Sequence, residues 1–160
     1  MRIWNKIIFL DEDNTKLSPI TEQMFRKKLE AYAEDAPAVC SRGNVVLFPE
    51  PVNQKIGEVA KTYDIDLSDY SAVQLAGEDL SPGTLVLAMD ASSKAMVYDH
   101  FTNASNIYTL KEYLGSAGDL KLPLGGTIEE YATIIGIISG LLDVLLERLY
   151  NENDTEKEKE

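Results

Sequence analysis

Three carboxylates in a row, Asp11-Glu12-Asp13, follow the apolar residues Ile7-Ile8-Phe9-Leu10 and precede Asn14-Thr15-Lys16-Leu17-Ser18-Pro19. A strand, a tight loop and a helix N-terminus in that order form an anion cradle in α/β proteins. Here the cradle is lined with negative charge, and two chemistries can resolve that contradiction. A hard divalent cation such as Mg²⁺ takes oxygen ligands and would screen Asp11 from a phosphate. Asp11 and Asp13 are candidate ligands, with Asp90, at the end of another apolar strand, as a third. Alternatively the carboxylates accept hydrogen bonds from the loop's own N–H groups, filling from inside the place an oxyanion would take from outside. The sequence leaves both open.

Other reactive side chains lack partners. Cys40 ends a short apolar strand and has no Arg six positions after it, so it reads as a small buried hydrophobe. His100 has no obvious partner acid or serine and reads as a surface residue at a helix end. Phe48 lies in an apolar loop over residues 45–51, where it either lines a pocket or packs the loop.

The elements that must position these residues alternate along the chain. Residues 7–10 are β-branched or aromatic in three of four places, which predicts a buried strand. Ser18 is expected to cap a helix over 19–33 with Pro19 at its first position, where a missing N–H costs nothing. A short strand over 38–40, a turn at 41–44 and a helix over 52–63 follow. Residues 84–89, apolar on both faces, predict a central parallel strand, then a helix over 91–101 and a last strand over 106–110. Thr127 and Glu130 form a capping box that opens a long helix to Tyr150. The alternation predicts a three-layer α/β/α domain with a parallel sheet over residues 1–150, followed by a disordered acidic tail over 151–160.

The long helix carries more apolar surface than one packing face needs. Ile134, Ile138, Leu141, Leu145 and Leu149 form a stripe, Ile135, Leu142 and Leu146 widen it, and Ile137 and Val144 fall elsewhere on the wheel. Deep burial or a self-association surface would account for the excess.

Bulk composition narrows the partners. The 160 residues carry a net charge of −12, which argues against nucleic acid and anionic membranes. A single cysteine permits no internal disulfide and suits a reducing cytoplasm. The N-terminal residues have no signal-peptide layout, and no apolar run reaches transmembrane length.

The order of these features resembles the low-molecular-weight protein tyrosine phosphatases and their arsenate reductase relatives, from Ile7 to about Tyr150. Asn14, Ser18, Pro19, Glu22 and Phe25 stand where that family's first loop and helix place them. Ile65-Asp66-Leu67-Ser68 with Ala72, Gln74 and Leu75 is similar to its Gly-Ile-Asp-Leu-Ser…Ala-Arg-Gln-Leu segment. Leu85 to Asp90 resembles its Leu-Ile-Leu-Val-Met-Asp strand, and Gly125 to Tyr131 the entry to its last helix. The resemblance implies a four-stranded sheet in the order 2-1-3-4.

The departures fall on the chemistry. Asp11 stands at the nucleophilic Cys position, Leu17 at the phosphate-binding Arg and Leu122 at the general acid. Leu124 replaces an aromatic of the late loop. Tyr70 replaces the His that braces the loop Asn, and Val73 the neighbouring Arg. The resemblance thus implies a catalytically inactive relative with a degenerate phosphate loop over Asp11 to Ser18, no cofactor, and a role in binding or assembly. A second resemblance offers an alternative: Asp11-x-Asp13-x-Thr15 is similar to the signature of the haloacid dehalogenase phosphatases. It implies an Mg²⁺-dependent phosphatase acting on a small phosphate ester, with Asp11 as nucleophile and Asp13 as acid/base, although no convincing later Lys and acidic pair follows.

Overall fold

The structure is a computed structural model that describes residues 4–32 and 35–159, those beyond 151 by backbone alone. Four strands, β1 (Lys6–Asp11), β2 (Ala38–Gly43), β3 (Thr84–Ala88) and β4 (Ile107–Thr109), form one parallel sheet in the order β2-β1-β3-β4. Ile8 pairs with Cys40 on one side and with Val86 on the other. This is the expected three-layer α/β/α arrangement and strand order.

Alternation along β1 divides the core in two, because successive side chains point to opposite faces. Ile7 and Phe9 join a large cluster with α1 (Leu17–Leu29), α2 (Gln54–Lys61) and α5 (Ile128–Lys159). Ile8 and Leu10 join a smaller one with Val86, Ala88 and Val97, beneath α3 (Ala91–His100). All four residues are fully buried, which a strand covered on both faces requires.

Four expectations change in detail. The first helix starts at Leu17, not Pro19, and Ser18 does not cap it; Lys16 holds the cap position with no side-chain bond. β2 runs on to Gly43, through the residues read as a turn, because Asp11 pairs with Gly43 in register. A short helix, α4 (Leu110–Tyr113), follows β4 at once, with Thr109 accepting from the Glu112 N–H. In α5 the buried stripe is centred on Ile135, Ile138, Leu142, Leu145 and Leu149, while Ile134, Leu141 and Leu146 lie at its edges. Ile137 and Val144 are both 48% exposed.

The capping box at the start of α5 is present: Glu130 N–H donates to the Thr127 hydroxyl (3.1 Å) and Thr127 N–H to the Glu130 carboxylate (3.2 Å). The backbone of α5 continues through Lys159, across the stretch expected to be a disordered acidic tail. Glu and Lys are good helix formers, so a packed, nucleated helix can run on into a charged segment. The side chains of that tail from residue 152 lie outside the described residues. Among the described residues no helix is long and apolar enough to cross a membrane.

Candidate functional site

The loop between β1 and α1 lies at the carboxyl edge of the two central strands, where ligands bind in open α/β sheets. Asp11, the last residue of β1, turns its carboxylate back into the loop. Its Oδ1 accepts from Asn14 N–H (2.6 Å) and its Oδ2 from Ser18 N–H (3.0 Å). The first turn of α1 is therefore capped by a side chain seven residues upstream, which is why Ser18 itself is free to do something else.

Asp11 is 8% exposed. Burial pushes its carboxyl above the ordinary value, while the N–H groups of Ser18 and Asn14 oppose that rise. Its neighbour Asp13 is half-buried and differently held. It accepts from Thr15 N–H (3.1 Å) and the Thr15 hydroxyl (2.7 Å), and pairs with Lys16 (2.9 Å). Burial works against that charge too, but Lys16 and Thr15 outweigh it and hold Asp13 below the ordinary carboxylate value.

Asn14 holds the loop in shape. It adopts φ 62°, a left-handed conformation that Asn tolerates better than most residues. Its fully buried side chain donates to the hydroxyls of Ser18 (2.8 Å) and Ser41 (3.0 Å). Its carbonyl accepts from the Tyr70 hydroxyl and from Val73 N–H, both at 2.9 Å. With the Tyr70 proton on Asn14, the single Ser41 hydroxyl proton is shared between Glu22 (3.1 Å) and the Tyr70 oxygen, and Glu22 is paired with Arg26. Tyr70 thus reaches the loop Asn from the position where the family resemblance placed a His. Burial pushes its hydroxyl up to about 12, so it stays a neutral donor. Sequence reading passed over Ser41 because it was assigned to a turn; as a β2 residue it points inward.

Gly43 sets the distance between β2 and this loop. A Cβ there would lie 2.6 Å from the Asp13 carbonyl carbon and 2.7 Å from the Asn14 nitrogen. The next two residues hold the loop from outside, with Asn44 N–H on the Asp11 carbonyl (3.2 Å) and Val45 N–H on that of Glu12 (2.9 Å).

A cleft of about 330 Å³ opens above the loop. Asp11, Glu12, Asp13 and Lys16 form one side; Leu17, Met89, Leu120 and Leu122 form an apolar wall. Leu17 and Leu122, the two residues expected at the positions of the family's Arg and acid, face the same cleft. The wall exists because Leu120 N–H donates to the Met89 carbonyl (2.9 Å), laying the late loop across the end of β3.

Asp90 lines the same cleft as Asp11 and Asp13, but each of these three candidate ligands is engaged by other bonds. Asp90 caps α3 by accepting from Ser93 N–H (2.7 Å), Asp11 holds two backbone amides, and Asp13 holds Lys16 and Thr15. Among the described residues no three His, Cys, Asp or Glu side chains are grouped to hold a metal ion. Cys40 lies outside the cleft, half-buried, with its thiol pushed up by burial, an environment opposite to that of a reactive thiolate. His100 is exposed at the end of α3.

Residues 6–155 match the family model described as low molecular weight phosphotyrosine protein phosphatase. Among curated relatives, the low molecular weight protein-tyrosine-phosphatase PtpB of Staphylococcus haemolyticus is 31% identical over 79% of this chain and 86% of its own length. That of Staphylococcus epidermidis is 27% identical, with coverages of 86% and 94%. Among solved structures, a low molecular weight protein tyrosine phosphatase from T. tengcongensis superposes with a TM-score of 0.82 at 36% identity, covering 90% of this chain and 99% of its own. The YwlE arginine phosphatase from Geobacillus stearothermophilus gives 0.82 at 29% identity, with coverages of 92% and 94%.

Proposed function

The chain belongs to the low molecular weight phosphotyrosine protein phosphatase family, and from that premise we propose that it has lost the family reaction and acts as a binding or assembly protein. The relatives named above are called phosphatases, and their names are the case against this reading. Its support is the identity and state of the residues in the loop.

A cysteine phosphatase attacks phosphorus with a thiolate, clamps the phosphoryl oxygens with Arg and protonates the leaving group with an acid. At the three matching positions this chain has Asp11, Leu17 and Leu122. The observation that carries the proposal is the seat of Asp11: its two oxygens already occupy the amides of Asn14 and Ser18. That occupation does not depend on charge. A protonated Asp11 would still fill the place, and an ionised one would repel a phosphate as well, by about 4 kcal/mol per like-charge pair at contact in a medium of effective dielectric near 20. Without the Arg fork, about 1.5–3 kcal/mol per charge-assisted hydrogen bond is also missing. Lys16 offers little compensation, because Asp13 already holds its ammonium.

Turnover of p-nitrophenyl phosphate tests the reading, measured with and without Mg²⁺ for the wild type and Asp11→Asn. The expected result is no turnover in any combination. Turnover requiring both Mg²⁺ and Asp11 would replace the proposal with an aspartate-based phosphatase. Metal-independent turnover would return the chain to the activity its relatives are named for.

A further inference from the structure

Beside the acidic loop, residues 45–48 leave apolar side chains in the open. Val45 is 43%, Leu47 86% and Phe48 61% exposed. They wall a groove of about 200 Å³ whose other lining residues include Glu12, Asp13 and Glu50. The segment is tied down rather than loose. Val45 N–H donates to the Glu12 carbonyl (2.9 Å), Val46 N–H to the Gln74 side chain (3.0 Å), and the Glu50 carbonyl accepts from Ala72 N–H (2.9 Å). The backbone thus holds these apolar side chains outward at a cost in exposed area that nothing in the fold recovers.

The charged side chains that line the groove are all acidic, with Lys16 held on Asp13 at its edge and within electrostatic reach of Glu12. No basic side chain lines it. Asp13 is satisfied by Lys16 and Thr15, whereas among the described residues the carboxylates of Glu12 and Glu50 make no hydrogen bond or ion pair. A purely apolar occupant would desolvate those two carboxylates without pairing them, which is unfavourable. An acidic or phosphorylated occupant would meet like charge. A segment carrying both apolar and basic side chains satisfies both walls, and a guanidinium can also lie over the Phe48 ring.

We propose that this groove docks a partner polypeptide segment that combines apolar side chains with Lys or Arg, the apolar groups against Leu47 and Phe48 and the cation between Glu12 and Glu50. The inference rests on the binding role proposed above and names the chemistry of the partner.

Fluorescence anisotropy with a labelled peptide of alternating Leu and Arg tests it, against a Leu-Glu peptide and a phosphotyrosyl peptide. The Leu-Arg peptide is expected to bind, and Phe48→Ala and the pair Glu12→Lys/Glu50→Lys are each expected to weaken it about tenfold. Because the whole chain is acidic, Asp99→Lys/Glu147→Lys serves as a control with the same change in net charge; it is expected to shift the affinity no more than about twofold. All the substituted residues are exposed, so unchanged melting curves verify folding. Absence of binding, an equal loss in the control pair, or preference for the Leu-Glu or phosphotyrosyl peptide would overturn the groove. The p-nitrophenyl phosphate assay on the same preparation separates the two ideas: turnover counts against the inactive reading, whereas failed peptide binding without turnover counts against the groove alone.

Discussion

The Ser18 N–H points at the Asp11 carboxylate, 3.0 Å away, across the loop that joins β1 to α1. Helix N-termini attract anions because their first N–H groups have no partner within the helix. In this chain the anion is covalently attached, and an external ligand must compete with a tethered one.

Removing that tethered group should reopen the seat. Asp11→Ala leaves the amides of Asn14 and Ser18 without an acceptor, a loss of about 1–3 kcal/mol, partly offset because a buried charge also disappears. Inorganic phosphate or vanadate is expected to raise the melting temperature of Asp11→Ala and to leave that of the wild type unchanged. An equal rise in the wild type would show that Asp11 does not occupy the site.

Charge restoration should need two changes together. Leu17→Arg alone places a guanidinium beside Asp11, which neutralises it internally. Asp11→Cys with Leu17→Arg is expected to bind vanadate at least on the order of a hundredfold more tightly than either single variant, from two charge-assisted hydrogen bonds of about 1.5–3 kcal/mol each. Titration calorimetry reads this directly. Turnover should stay slow, since Leu122 cannot protonate a leaving group.

Asp11 and Asp13 should titrate with opposite effects on stability. Burial holds the folded Asp11 above its ordinary 3.8, so the folded state takes up that proton more readily than the unfolded chain. Its contribution to stability therefore falls as pH rises from 3.8 through the raised value. Asp13 is held below 3.8, so its contribution is present above 3.8 and is lost as pH falls through the lowered value. In urea denaturation from pH 2 to pH 7, the wild type's advantage over Asp11→Asn should shrink with rising pH. Its advantage over Asp13→Asn should grow.

The loop's shape should depend on Asn14 and Gly43 more than on any carboxylate. Asn14→Ala removes four side-chain bonds at a left-handed position and is expected to cost about 3 kcal/mol or more. Asn14→Gly, which tolerates that φ, should cost about 1 kcal/mol less than Ala. Gly43→Ala drives a Cβ into backbone atoms at 2.6–2.7 Å and should cost several kcal/mol, on the scale of about 1–3 kcal/mol or more for overpacking. Tyr70→Phe removes one neutral donor, worth about 1 kcal/mol. Urea midpoints rank the four.

If α5 supports assembly, its outward residues should govern it. Ile137 and Val144 lie seven residues apart, on one helix face, half exposed. Light scattering at high concentration is expected to show a dimer for the wild type and a monomer for Ile137→Glu/Val144→Glu. Thermal stability should change little, within about 0.5 kcal/mol, as for other surface substitutions. A monomeric wild type at all concentrations would leave α5 without that role.

The layer architecture was legible in the sequence because hydrophobic periodicity is local. Ile7 to Leu10 and residues 84–89 are apolar on both faces, and only a strand covered on both sides accommodates that. The absence of Cys, Arg and acid at positions 11, 17 and 122 was equally plain, since residue identity needs no coordinates. What Asp11 does with its carboxylate was not: metal ligation and self-capping use the same residues, and the choice turns on where the Asn14 and Ser18 amides point. Ser41 entered the site only through the pairing of β2 with β1, and α1 began at Leu17, two residues before the expected Pro19, because a cap supplied from β1 replaced the local one. Local pattern determined the elements; the three-dimensional convergence of backbone donors on one buried carboxylate decided how the loop between them is filled.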